Sequence, residues 1–266
     1  MVPEIPLFSL LLALLPSVLV LIVMRAWSLN AGEAVWANIR MLAQLLAVGF
    51  VLTFIFQTES AWVVAAVLVL MMTMAAWIAL RPLESRSARG YLQSLAAISI
   101  CGLLMLLLIT QVVLDLPRWF EPRFVIPLGG MILANAMNTV SLAAERFEAE
   151  MGRSAAYIDA RSVALEAALI PQINSLLAVG LVSLPGMMTG QILSGVDPLV
   201  AVRYQIVVMA MIFGSAGAAA ALYLVLQRQD AQTVRPARAT EAARSPGAND
   251  TAPGKAVAPV SPSAGD

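Results

Sequence analysis

From Trp62 to Leu80 the chain reads WVVAAVLVLMMTMAAWIAL, a run without one charged residue. A helix rises about 1.5 Å per residue, so this run is long enough to cross a hydrocarbon core of roughly 30 Å. Lipid offers no partner for backbone N–H and C=O groups, and a helix satisfies its own. Six further stretches meet the same test: Leu7–Met24, Ile39–Phe56, Leu92–Leu114, Phe124–Leu142, Val163–Leu184 and Ala201–Leu226. The expected fold is an all-α integral membrane protein of about seven transmembrane helices, with residues 1–228 as one membrane domain.

Composition agrees with that reading. Hydrophobic residues make up 60% of the chain and charged residues 12%, about half the charged fraction of an ordinary soluble domain. The net charge is zero and no basic stretch is interleaved with aromatics, so there is no nucleic-acid footprint. The chain has one cysteine, Cys101, and no histidine. That inventory excludes an internal disulfide, a Ser-His or Cys-His pair and an HExxH zinc motif. No Gly-x-x-x-x-Gly-Lys-[Ser/Thr] loop occurs, so the chain is read as having no cofactor of its own and as not an enzyme. Any ATP belongs to a partner subunit. Methionines such as Met71, Met72, Met74, Met187 and Met188 could ligate soft metals, but scattered thioethers in membrane helices serve adaptable packing, and no metal site is assigned.

The first stretch has Glu4 where a signal peptide carries basic residues, and its length suits a retained helix. Short cytoplasmic loops hold lysine and arginine in excess. With the amino terminus outside, Arg25, Arg40, Arg81, Arg86, Arg89, Arg146, Arg153, Arg161 and Arg228 fall inside together with the tail cations, and only Arg118, Arg123 and Arg203 fall outside. The expected topology is N-out, C-in, in a plasma (inner) membrane. From residue 229 to 266 the composition turns to Ala, Pro, Ser, Gly and Thr with scattered charge. Such a chain buries too little apolar surface to offset its ordering entropy, so a disordered cytoplasmic tail is expected.

Ionisable residues are missing from the span centres; Arg40 and Glu166 stand near helix starts. A coupling-ion relay is therefore disfavoured. Neutral polar residues gather in the later spans: Asn135 and Asn138, Gln172 and Asn174, then Thr189 and Gln191. Two readings stay open for them, hydrogen bonding between helices and the lining of a substrate path. In Leu184-Pro185-Gly186-Met187-Met188-Thr189-Gly190-Gln191, proline removes a donor and two glycines relax the backbone, so a break in the sixth helix is expected at Pro185, Gly186 and Gly190. Gly186 and Gly190 also form Gly-x-x-x-Gly, a weak signal for close helix packing.

Between the fifth and sixth spans lies a charged segment with Glu145, Arg146, Glu148, Glu150, Gly152, Arg153, Asp159 and Arg161. It is read as a short cytoplasmic loop, either simply solvated or a docking surface whose charges set a partner's orientation.

The order of several motifs resembles a known family. Ile126-Pro127-Leu128-Gly129-Gly130-Met131-Ile132 precedes Asn135-Ala136-Met137-Asn138, and Ala168-Leu169-Ile170-Pro171 precedes Ile173-Asn174-Ser175. The run from Gly180 through Pro185-Gly186-Met187-Met188-Thr189-Gly190-Gln191 to Gly195-Val196-Asp197-Pro198 and Ala201-Val202-Arg203-Tyr204-Gln205 continues the pattern. Together they resemble the Fet-type iron-export ABC permeases and their plant aluminium-tolerance relatives. The resemblance is dense from Ile126 to Gln205 and thinner before it. It implies a permease that self-associates as a dimer, lies in the lipid bilayer and is driven by a separate cytoplasmic ABC ATPase. In bacteria it implies iron export, and for a plant relative a link to UDP-glucose. The segment from Glu145 to Glu166 departs from the family pattern, since it lacks the Leu-x-Leu-Gly-Ala-like turn that resembles a coupling helix. Gly152-Arg153-Ser154 is the candidate for an abbreviated one. The alternative function is an ATPase-independent channel or a membrane scaffold that has lost its coupling segment.

Overall fold

The computed structural model describes residues 6–57, 60–83, 86–153 and 155–228. The expected tail, 229–266, lies outside them. Every regular element among the described residues is helical. They divide into two compact units, one of Met1–Ala66 with Phe120–Arg123 and one of Val67–Trp119 with Phe124–Asp266.

In the first unit, α1 (Leu7–Ala13) and α2 (Leu15–Ala26) part at Leu14. Pro16 sits in the first turn of α2, where its missing N–H matters least and where it cannot continue the preceding ladder. The chain reverses through Ser28, at φ 58, into α3 (Ala31–Ile55), which packs on α2. Neither helix has a core: α2 buries no residue and α3 only Ala31 and Ile55.

α4 (Ala61–Ala79) leads into the second unit, followed by α5 (Ala88–Leu107). Ser87 caps α5, its Oγ accepting from Gly90 N at 2.9 Å. α5 is prolonged by a π-helical turn, Leu108–Val113. α6 (Pro122–Gly152) and α7 (Tyr157–Ala178) follow, each with an internal proline, Pro127 and Pro171. A short α8 (Gly186–Leu193) precedes α9 (Pro198–Leu226). Asp197 caps α9, with Oδ1 accepting from Leu199 N at 2.8 Å and Val200 N at 3.3 Å, and Pro198 occupies the first turn. An acidic N-cap followed by proline is a strong start signal.

Contacts within the second unit fix the direction of each helix. Ser94 Oγ donates to Ala76 O, while Leu68 and Met72 share an apolar gap with Leu103, Leu106, Gly102 and Gly129, so α4 and α5 run antiparallel. Added Cβ atoms at Gly102 and Gly129 would lie 3.2 Å from Leu133 Cδ2 and 3.1 Å from Leu68 Cδ2. These glycines let α6 approach both helices closely. α5 and α9 are antiparallel as well, with Gln93 beside Leu226 and Met105 against Gly214. α6 and α7 meet through Asn135 and Gln172, and α7 and α9 through Leu169 and Gly217.

One end of this bundle therefore holds the α4–α5 connection, the α6–α7 turn and the end of α9. Arg81, Arg86, Arg89, Arg146, Arg153, Arg161 and Arg228 all lie there, whereas Arg118 and Arg203 lie at the opposite end. Among the described residues, six helices are long and apolar enough to cross a membrane: Phe8–Ala26, Ala31–Ile55, Ala61–Ala79, Ala88–Val113, Pro122–Gly152 and Pro198–Leu226. The expected span Val163–Leu184 is not among these six. Its helix carries Asp159, Arg161 and Glu166 and ends at Ala178. The chain does break after it, but earlier than expected. The interruption runs from Val179 to Pro185, with Gly180 at φ 81 and its N–H donating to Ser183 O at 2.9 Å. A positive φ of this size favours glycine because a Cβ would crowd the backbone. Gly186 and Gly190 instead lie inside α8, and nothing approaches their Cβ positions within 4 Å. Their Gly-x-x-x-Gly spacing thus makes no close helix contact.

Candidate functional site

The polar residues of α6 and α7 separate into two groups. Gln172 is buried on the α7 face that also carries Ala160, Ala164 and Ala168. Small residues at this spacing let a neighbouring helix come close. Gln172 Nε2 donates to Thr139 Oγ1 at 3.2 Å and to Asn135 Oδ1 at 3.4 Å. Asn135 Nδ2 in turn donates to Met131 O at 2.8 Å, and Thr139 Oγ1 to Asn135 O at 2.9 Å. Asn135 and Gln172, both singled out in the sequence, are joined by a cross-helix link. Thr139 is its third member and was missed, because a lone threonine in an apolar stretch gives no signal until its i−4 neighbour Asn135 is known to face α7.

Asn138 and Asn174 point away from this link and are exposed. Thr189 is half-buried and donates to O of Pro185, the N-cap of its own helix, at 3.1 Å. Gln191, also in α8, has a buried Oε1 without a hydrogen-bond partner among the described residues, as has Gln205 in α9. Gln205, quoted in the sequence only as part of the family-like run, was not taken as a site residue because a single amide near a helix start looks like an interfacial residue.

The charged segment is not a loop. α6 continues to Gly152 and α7 starts at Tyr157, so Glu145, Arg146, Glu148, Glu150, Asp159 and Arg161 all stand on helices. Only residues 153–156 connect them, and Ser154 lies outside the described residues. Helix persists because Glu150 takes Arg146 Nη2 at 2.8 Å and Arg153 Nη1 at 3.3 Å, spacings that place opposite charges on one helix face. Arg153 N donates to Ala149 O and Glu150 O, closing the turn. Glu145 and Asp159 are exposed, and Glu148 is half-buried. Arg161 lies over the Tyr157 ring at 5.7 Å from its centroid, and the Phe147 ring meets Tyr157 edge-on at 6.0 Å and 80°. Tyr157 OH donates to Leu224 O at 2.9 Å, and Gln93 Nε2 to Leu226 O at 3.1 Å. The arginine-rich end is thus knitted from α5, α6, α7 and α9.

Long apolar helices around a small-residue core, with neutral amides inside and arginines at one end, define a multi-pass integral membrane protein. The chain matches the uncharacterised protein family UPF0014 over residues 7–231 and belongs to it. It is 39% identical, over 68% of its length and 76% of the relative's, to the Synechocystis protein named "UPF0014 membrane protein slr1647". It is 32% identical, over 78% and 85%, to the Escherichia coli "Probable iron export permease protein FetB". It is 33% identical, over 75% and 78%, to the Arabidopsis thaliana "Protein ALUMINUM SENSITIVE 3". The family resemblance of the sequence motifs is thereby shown. Relatives named as membrane or permease proteins place the chain among transport-type membrane proteins rather than enzymes. No solved structure matches it.

Proposed function

We propose that the chain is the membrane-spanning permease subunit of an ABC transporter, an exporter of iron or another metal ion driven by a separate cytoplasmic ATPase. The observation that carries this reading is the gathering of arginines at the end where α6 turns into α7. Cytoplasmic positions hold such residues in excess, so that end faces the cytosol, with N-out, C-in topology and α7 as the sixth of seven crossings. The ion-paired hairpin tip is then within reach of a soluble subunit. The relative named an iron export permease supports the cargo class. Two copies enclose the path. Exposed amides at membrane depth, Asn138 and Asn174, need cover from protein or water because lipid supplies no hydrogen bonds, and they suit its wall. Asn135, Gln172 and Thr139 hold the wall together, while Thr189 and Gln191 lie near its far mouth.

The test is ATP-driven uptake of ferrous iron by inverted vesicles containing the chain and a candidate ATPase. Uptake dependent on ATP is expected, and Arg153→Glu with Arg161→Glu should weaken co-purification of the ATPase. Flux without ATP would reject the reading in favour of an ATPase-independent channel, which the short 153–156 connection would suit.

A further inference from the structure

The last turn of any helix leaves carbonyl oxygens without an intrahelical donor. At the end of α9, two of these carbonyls receive side chains from other helices: Leu224 O from Tyr157 OH and Leu226 O from Gln93 Nε2. Leu224 is buried, so water does not readily replace the Tyr157 hydroxyl there. Tyr157 is the first residue of α7, directly after the turn that carries Arg153. Its ring is held between two residues of the hairpin, Phe147 of α6 edge-on and Arg161 of α7 over the face. Phe147 stands beside Arg146, which shares Glu150 with Arg153. One side chain therefore separates the charged outer surface of the hairpin from the buried end of α9. Its ring belongs to the hairpin and its hydroxyl to α9.

Resting on the reading that an ATPase docks at this hairpin, we infer that Tyr157 is the positioning residue that transmits docking to α9. A shift of the α6–α7 tip moves the Arg161–Tyr157–Phe147 stack as a unit. The hydroxyl then keeps or releases Leu224 O, which biases α9 between two positions. One neutral hydrogen bond is a suitable device. It biases a two-state equilibrium by about two- to tenfold, enough to couple and weak enough to reverse. The Gln93 bond to Leu226 O comes from α5 and stays outside the hairpin, so it holds the same helix end without receiving the docking movement.

The experiment uses the full chain with its ATPase in proteoliposomes, reading ATP hydrolysed, ferrous iron transported and ATPase retained. Tyr157→Phe keeps the ring and both ring contacts and removes only the hydroxyl. Retained ATPase should be unchanged while iron moved per ATP falls about two- to tenfold, the range of one such bond. Gln93→Met is the companion variant and should leave that ratio near wild type. An unchanged ratio in Tyr157→Phe, with or without a lower yield of folded protein, would reduce Tyr157 to a structural cap and overturn the inference. An equal fall in Gln93→Met would overturn it too, since any loosening of α9 would then suffice. If the wild-type chain binds no ATPase or moves iron without ATP, the docking reading itself fails, and this inference falls with it.

Discussion

α3 and α9 are both long apolar helices, 25 and 29 residues, and either could cross a bilayer. They are packed very differently. α9 buries Ala201, Gln205, Val208, Met211, Ser215, Ala216, Ala219, Ala220, Tyr223 and Leu224, mostly along one stripe, while α3 buries only Ala31 and Ile55. Leu45, Leu46, Phe50 and Phe54 of α3 are well exposed. Hydrophobicity does not explain the contrast, because lipid tails are as apolar as leucine and give helices no reason to associate. Side-chain size does. The run of small residues from Gly214 to Ala221 in α9 lets neighbouring backbones come close enough for dispersion contacts and hydrogen bonds to accumulate, whereas the small residues of α3, such as Ala37, Ala43 and Gly49, are scattered between bulky ones.

The contrast is tested most severely by one substitution made in both helices. Gly214 of α9 has Met105 Cε only 2.8 Å from where a Cβ would sit, and Gly49 of α3 has nothing within 4 Å. Gly214→Leu should destabilise by about 1–3 kcal/mol or more through overpacking, read as a lower melting temperature in detergent. Gly49→Leu should leave it unchanged, and equal effects would break the comparison. Next in size is Gln172→Leu, which removes both cross-helix hydrogen bonds of α7 to α6 and should cost about 1 kcal/mol or somewhat more. A double-mutant cycle with Thr139→Val should return a coupling of roughly 0.6 kcal/mol, typical of hydrogen bonds between membrane helices. Asp197→Ala should cost about 1 kcal/mol by uncapping α9, visible as faster amide exchange at Leu199 and Val200. The smallest change is expected for Leu46→Ala, at a side chain 70% exposed, where a shift within about 0.5 kcal/mol is typical of exposed sites.

The candidate site was legible only in part. Asn135 and Gln172 could be picked out because amides are rare in apolar runs, yet nothing in their spacing showed that they meet each other while Asn138 and Asn174 stay outside. The segment from Glu145 to Gly152 read as a loop because its charges mask the helix, although Arg146 and Glu150 stand four apart and support it. The hub at Tyr157 joins residues as far apart as Phe147 and Leu224, and no local pattern reports such a meeting.

By itself the sequence determined that the chain lives in a bilayer, roughly where six of its apolar helices lie, and which segments carry the arginines. Those properties depend on local composition and on the cost of bare backbone in lipid. Only the tertiary structure decided which face of each helix is buried, that the break falls between Ala178 and Gly186, and that the end of α9 is held by Tyr157 and Gln93. A helix apolar on every side has no hydrophobic face to read, so its partner is chosen by the fit of small residues and a few polar atoms across distant parts of the chain.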